Sequence, residues 1–311
     1  MSAQAERTIP GVRVLQPRAA TGQKIGVLVV TILPFLGLIG AVVTLWGRGL
    51  SLADVAIFAV FYVFTGLGVT VGFHRFLTHQ SFKAAAPVRA VLAIAGSMAI
   101  QGSVLDWVAT HRRHHAFSDQ EGDPHSPHLD EGEGLRGIMR GLWHAHMGWL
   151  FSEEQTEIER WAPDLARDPL MVKINRLFPL WITLSLTAPA LAGLALTGTW
   201  QGAITAFLWG SLVRVLLLHH VTWSINSICH FFGRRPFKTP DFSTNNWVLA
   251  VISFGESWHN NHHAFPTSAK HGLGRFQFDS SALLISVMQK LRLVRDVKVV
   301  TPKQLAAKSK T

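Results

Sequence analysis

The chain has 311 residues, of which 48% are hydrophobic and only 15% are Asp, Glu, Lys or Arg, too little charge to cover the surface of a water-soluble enzyme. Its net charge of +10 is scattered rather than gathered into one basic motif, which argues against nucleic acid and suits anionic lipid headgroups or a negatively charged substrate. Cys229 stands alone, excluding an internal disulfide, an iron–sulfur cluster and a cysteine-held zinc.

Residues 1–24, with Arg7, Arg13, Arg18 and Lys24, have no apolar signal-peptide core and read as a flexible cytosolic arm. Residues 25–46 are 22 uncharged positions, about 33 Å as a helix, enough for a hydrocarbon layer of about 30 Å. A turn at 47–51 leads to a second span over 52–73, whose only charge is Asp54 near its start, and Pro34 is expected to bend the first span. The apolar stretch 84–102 is short for a crossing and reads as a helix in or against the interface. A second hairpin follows, with spans near 178–197 and 203–225. Arg214, His219 and His220 interrupt the fourth span, and ionisable groups at that depth face the protein interior.

The Lys and Arg residues set an orientation. Four precede the first span, 11 lie between the second and third and 12 follow the fourth, whereas the hairpin turns hold only Arg48. By the positive-inside rule, both termini and both long polar segments are cytoplasmic. The expected fold is therefore all-α and multi-pass, with four transmembrane helices in two hairpins under a cytosolic helical cap. Its membrane domain spans 25–280, and 281–311 form a basic cytosolic C-terminal segment.

Nine of the 16 histidines fall where this topology gathers them on one side of the membrane. His74 and His79, in HRFLTH, lie five residues apart, about 140° on an α-helix, so the helix must fray or the pair must serve different metal positions. His111, His114 and His115, in HRRHH, stand at i, i+3 and i+4 on one helix face, and His259, His262 and His263, in HNNHH, repeat the spacing. Asn226 and His230, in NSICH, lie four apart where the fourth span ends, a spacing that fits a ligand or a hydrogen-bonded helix end. So many imidazoles exceed the needs of one ion and suit two with four or five nitrogens each, a histidine-rich dimetal site in the cap. A catalytic zinc takes about three protein ligands, and it lacks the redox chemistry that iron brings to an inert C–H bond. Asp106, Glu256 and Asp241, with Asp119, Glu121 and Asp123, are candidate carboxylates for orienting ligand imidazoles, the alternative being helix capping or solvent exposure.

The motifs HRFLTH, WVATHRRHHAFSDQEGDPHSP, HAHMGWLF, HHVTWSINSICHFFG and ESWHNNHHAFP closely resemble the membrane fatty-acid desaturase family, especially its delta-9 acyl-CoA and acyl-lipid branch, over roughly residues 25–280. The resemblance implies a di-iron centre held by His74, His79, His111, His114, His115, His230, His259, His262 and His263, with Asn226 acting through water. It also implies that Trp107 and Trp149 help form the acyl tunnel, to which the neighbourhoods of Phe64–Val71 and Leu216–Trp223 would contribute. The opening H-x4-H favours delta-9 chemistry over branches with H-x3-H.

The implied reaction converts an acyl chain, O₂, two electrons and two protons into a cis-alkene and two waters. No nucleotide-binding GxGxxG follows a predicted strand, so NAD(P)H would act indirectly, through a separate reductase and a ferredoxin-like carrier. Arg112, Arg113, Arg234, Arg235 and Lys238 favour acyl-CoA as substrate by attracting its phosphates, with an acyl-lipid as the alternative. A di-iron hydroxylase or ketolase could use the same metals. A non-enzymatic metal transporter would need histidines strung along a crossing path rather than converging on one face.

Overall fold

A computed structural model describes residues 9–46, 49–129, 132 and 134–309, and in it all four apolar runs are helices long enough to cross a bilayer. Arg7 and Arg48 lie outside the described residues. The first span, α1, is Pro17–Leu45, and its start at Pro17 rather than at residue 25 follows from proline's preset φ at a helix's first position. Ahead of it, Val12–Val14 pairs antiparallel with Glu154–Thr156, and Gly11 O accepts from Glu157 N and from Trp161 Nε1. The described part of the arm expected to be flexible is thus tied to the cap by backbone hydrogen bonds.

The second span covers Leu52–Thr78. It opens with a capping box in which Ser51 and Asp54 satisfy each other's free groups, which accounts for the charge at its entrance. It begins as α2 (Leu52–Leu67) and continues over Gly68–Thr78 as a π-helix. The third span is Phe178–Thr197, ended by Gly198 at φ 66°, and the fourth is Trp200–His230, with a second π-helical stretch at Phe207–Val213. The apolar windows of the second and fourth spans are 50% and 61% buried against 17% for the first and third, so the inner pair carries the histidines and the outer pair faces lipid.

Glycine sets the closest approach in the bundle. Helix α3 (Ala86–Ser97) lies so near the π-helical stretch that a Cβ on Gly68 would stand 2.2 Å from Gly96 N, and one on Gly96 would stand 2.6 Å from the Phe73 ring. The stretch expected at the interface is therefore a brace on the second span, with Leu92, Ala93 and Ala95 buried. Arg214 is fully buried, as its depth required, donating to Ser185 Oγ at 2.7 Å and Met98 O at 3.2 Å.

Above the spans sit α4 (Val104–Phe117), α5 (Gly134–His146) and the short helix His259–Ala264, with Phe73, Leu77, Val104, Val108 and Met171 forming the core beneath α4. The fold is predominantly helical, with two two-stranded pieces of sheet among the described residues. The described C-terminal segment packs against the rest of the fold. Ile285 and Met288 pack with Val71 and Phe82, and Lys308 Nζ donates to Ala264 O at 2.7 Å.

Candidate metal centre

The π-helical stretch resolves the awkward spacing of the first two histidines. His79 N donates to His74 O at 3.1 Å, an i→i+5 bond, and in that wider winding residues five apart return to one side. Their ring centroids stand 4.8 Å apart. Helix α4 carries the next three histidines, and the 259–264 helix faces it from across the centre with the last three.

All nine expected histidines come together, in two groups whose candidate ligand nitrogens lie within 4.8 Å of one another: His74, His79, His111, His115 and His262 in one, His114, His230, His259 and His263 in the other. The i, i+4 members of each triplet share a group, while the i+3 member crosses to the other. Within the groups, Nε2 faces Nε2 at 3.1 Å for His74 and His262, 2.9 Å for His262 and His115, and 3.1 Å for His111 and His115. The second group shows 2.9 Å for His230 and His259 and 3.1 Å for His259 and His263.

In four of the nine rings the other nitrogen faces a carboxylate. His74 Nδ1 meets Glu256 at 2.5 Å, His114 Nδ1 meets Asp123 at 2.9 Å, His230 Nδ1 meets Asp119 at 2.9 Å and His263 Nδ1 meets Asp241 at 2.8 Å. An imidazole that gives its Nδ1 proton to a carboxylate presents a bare lone pair at Nε2, the tautomer that binds a metal. Metal–nitrogen bonds of about 2.0–2.1 Å place neighbouring ligands about 3 Å apart, the spacing of these Nε2 atoms. The buried Nε2 atoms of His79 and His114 have no hydrogen-bond partner among the described residues. The clustered histidines are therefore able to chelate a dimetal site.

The carboxylates are themselves held. Asp119 accepts from Phe242 N at 2.8 Å and Ser126 Oγ at 2.7 Å, Asp123 from Asp119 N at 2.8 Å, and Asp241 from Ser243 N at 3.0 Å. Glu256 accepts from the buried Arg75, which also pairs with Asp279 at 2.9 Å. Burial, followed by the neighbouring imidazoles, holds His79, His111, His115, His259, His262 and His263 neutral well below the usual histidine range. Burial opposes ionisation of Asp123, yet the facing His114 keeps it well below the ordinary carboxylate range.

Glu256 and Asp241 thus face the rings of His74 and His263, whereas Asp106 accepts from Ser103 Oγ in the first turn of α4. Asn226 lines the same cavity as His111 and His259. Two further histidines adjoin the centre. His271 lies with its ring 4.5 Å from His262, and His125 lies 4.4 Å from His114. No helical period marks either one. By contrast, His128 and His219 are structural, donating to His230 O at 2.7 Å and Ala99 O at 2.9 Å.

The cationic cluster expected to draw CoA phosphates is largely engaged inside the cap. Arg112 pairs with Asp164 and donates to Leu77 O, the buried Arg113 pairs with Glu154 and donates to Gly122 O, and Arg235 donates to Thr239 O, while Arg234 and Lys238 remain exposed. A cavity of about 570 Å³ runs beside the centre, lined by Trp107 and Trp149, by Gly66, Val69 and Thr70 of the second span and by Leu218, Val221 and Trp223 of the fourth. Trp107 stacks on His111 at 4.9 Å, and Trp149 meets His125 edge-on at 5.2 Å. Val27 and Val30 of α1 and Phe178 and Ile182 of the third span also line it, contributions the sequence did not reveal.

Comparison with known proteins gives the same picture. A profile described as fatty acid desaturase matches residues 50–277. The chain is 43% identical to a hex-5-enoyl-[acyl-carrier protein] acetylenase of Moorena producens (strain JHB), over 90% of this chain and 88% of that one. It is 37% identical to an sn-1 stearoyl-lipid 9-desaturase of Anabaena variabilis, over 92% of this chain and 99% of that one, and 37% identical to an acyl-CoA C20 Delta5-desaturase of Anemone leveillei, over 78% and 72%.

Proposed function

The chain belongs to the fatty acid desaturase family, and from that membership we propose that it places a cis double bond at carbon 9 of a saturated acyl chain carried by a membrane glycerolipid. The observation that carries the reading is the convergence of two sets of Nε2 lone pairs beside an apolar cavity. Two features favour a lipid over acyl-CoA. Arg112, Arg113 and Arg235 are bonded within the cap, and the stearoyl-lipid relative matches over nearly its whole length.

In this reading His74, His79, His111, His115 and His262 hold one iron and His114, His230, His259 and His263 the other, with Asn226 reaching the pair through water. The two irons would supply the redox chemistry that removes hydrogen from an unactivated C–H bond with O₂. The chain's own part is positional. Glu256, Asp123, Asp119 and Asp241 fix ring orientation, while Trp107 and Trp149 wall the cavity so that neighbouring carbons are presented to the centre, where a misplacement of about 1 Å can cost about 100-fold. Electrons come from NAD(P)H through a separate reductase and ferredoxin-like carrier. The positive-inside rule puts both termini and the centre on the cytoplasmic side.

The test supplies purified, iron-counted protein with reductase, ferredoxin, O₂ and stearoyl groups on a phospholipid, on CoA or on acyl carrier protein, and locates the new double bond by mass spectrometry. Conversion of the thioesters alone defeats the lipid reading. An alcohol without an alkene defeats desaturation.

A further inference from the structure

The first span reaches the centre through a gap in its own packing. At its polar end, Lys24 Nζ pairs with Glu153 at 2.7 Å and Gln23 Nε2 donates to Leu150 O at 3.3 Å and Ser152 O at 3.1 Å, a strap between α1 and residues 150–153. At its far end, α1 closes on the fourth span, where a Cβ on Gly37 would stand 2.4 Å from Leu212. Next to the strap, over about 10 Å of helix from Gln23 to Val30, α1 bears on the cavity instead.

Gly26 marks the opening. It lines the cavity and is also exposed on the outer surface, and a Cβ there would meet nothing within 4 Å. Val27 and Val30 continue the rim, while Ile25, Leu28 and Val29 beside them are exposed apolar residues of the kind that face hydrocarbon. The same cavity ends against His111, Asn226 and His259. An apolar passage therefore joins lipid depth on α1 to the metal centre, with Gln23 and Leu150 of the strap at its polar edge.

We propose that the gap at Gly26 is a lateral portal, through which the acyl chain of a bilayer lipid slides from the hydrocarbon layer to the centre while its headgroup stays at the Gln23 and Lys24 strap. The portal rests on the acyl-lipid reading above and gives it a route. Its occupant is a lipid tail because the rim is apolar, lies just inside the polar strap and opens outward on a lipid-facing helix.

The experiment compares Gly26→Trp with Gly22→Trp in proteoliposomes of stearoyl phosphatidylcholine supplied with reductase and ferredoxin. Gly22 also has open space around its Cβ but does not line the cavity. Gly26→Trp is expected to lower lipid turnover by about tenfold or more with iron content unchanged, and Gly22→Trp to stay within about twofold. Wild-type turnover of the phospholipid with Gly26→Trp equally active overturns the portal alone. Wild-type turnover of thioesters but not phospholipid overturns the portal together with the reading beneath it. If Gly26→Trp does not accumulate, photo-crosslinking from p-benzoylphenylalanine in place of Val27 decides: capture of a labelled phospholipid acyl chain supports the portal, and its absence overturns it.

Discussion

His74 and His79, five residues apart on one helix, bring their rings to 4.8 Å because the second span is wound with i→i+5 hydrogen bonds where it meets the centre. That winding is packed against α3 through Gly68 and Gly96 with no room for a methyl group. Gly68→Ala should force α3 away and cost about 1–3 kcal/mol, the usual range for overpacking. Thermal unfolding and iron content, measured together, check this, and a variant with full iron and unchanged Tm would count against the packing argument.

The carboxylates behind the rings should govern iron retention. Asp119→Asn and Asp241→Asn each replace a charged acceptor of an Nδ1 proton with an amide, and loss of such a partner typically costs about 10–100-fold in metal affinity. Competition with a chelator reads this directly. Asp106→Asn, whose side chain bonds Ser103 instead, should leave affinity near wild type.

Glu256 serves two partners, His74 and Arg75, so its loss should differ in kind from that of the aspartates. Glu256→Gln leaves a buried guanidinium with Asp279 as its remaining carboxylate, and disrupting a buried ion pair costs about 3–5 kcal/mol. Stability of the metal-free protein should therefore fall more in Glu256→Gln than in Asp241→Asn. Equal denaturation midpoints would contradict that ranking.

Acid should destabilise the metal-free chain before it protonates the carboxylates. His259, His262 and His263 titrate near 6.5 when unfolded and well below that when folded, so the unfolded state takes up more protons as pH drops below about 6.5. Stability is lost from there down through the folded values. His114, raised by Asp123 despite its burial, acts in the opposite direction but is one group against several. Chelator-treated protein should melt lower at pH 5 than at pH 7, and a flat or rising Tm would remove the neutral-imidazole assignment.

His111→Ala and His262→Ala each delete a nitrogen from the first group and should lose iron and turnover together. Full iron with full turnover in either variant would show that the ring is not a ligand.

Much of this was legible in the sequence because its signals are periodic. Hydropathy located four spans, and the α-helical period put each histidine triplet on one face. The division of each triplet between two groups was not legible, since it depends on how α4 and the 259–264 helix face each other. Nor was the first pair, because the α-helical period gives the wrong angle where the helix is π-wound. His125 and His271 reach the centre from non-helical segments, where spacing carries no direction. The arginines show the same limit from the other side: sequence displays their charge, and only the fold shows Asp164 and Glu154 already holding Arg112 and Arg113.

Both histidine groups draw on the short helix at 259–264, although their earliest members are His74 and His114. A growing polypeptide thus inserts its first hairpin with only His74 and His79 in place, and the two groups are complete only once the ribosome has passed residues 262 and 263. Metal loading would then be a late event in biogenesis, and truncated products lacking that helix should be unable to retain the metal.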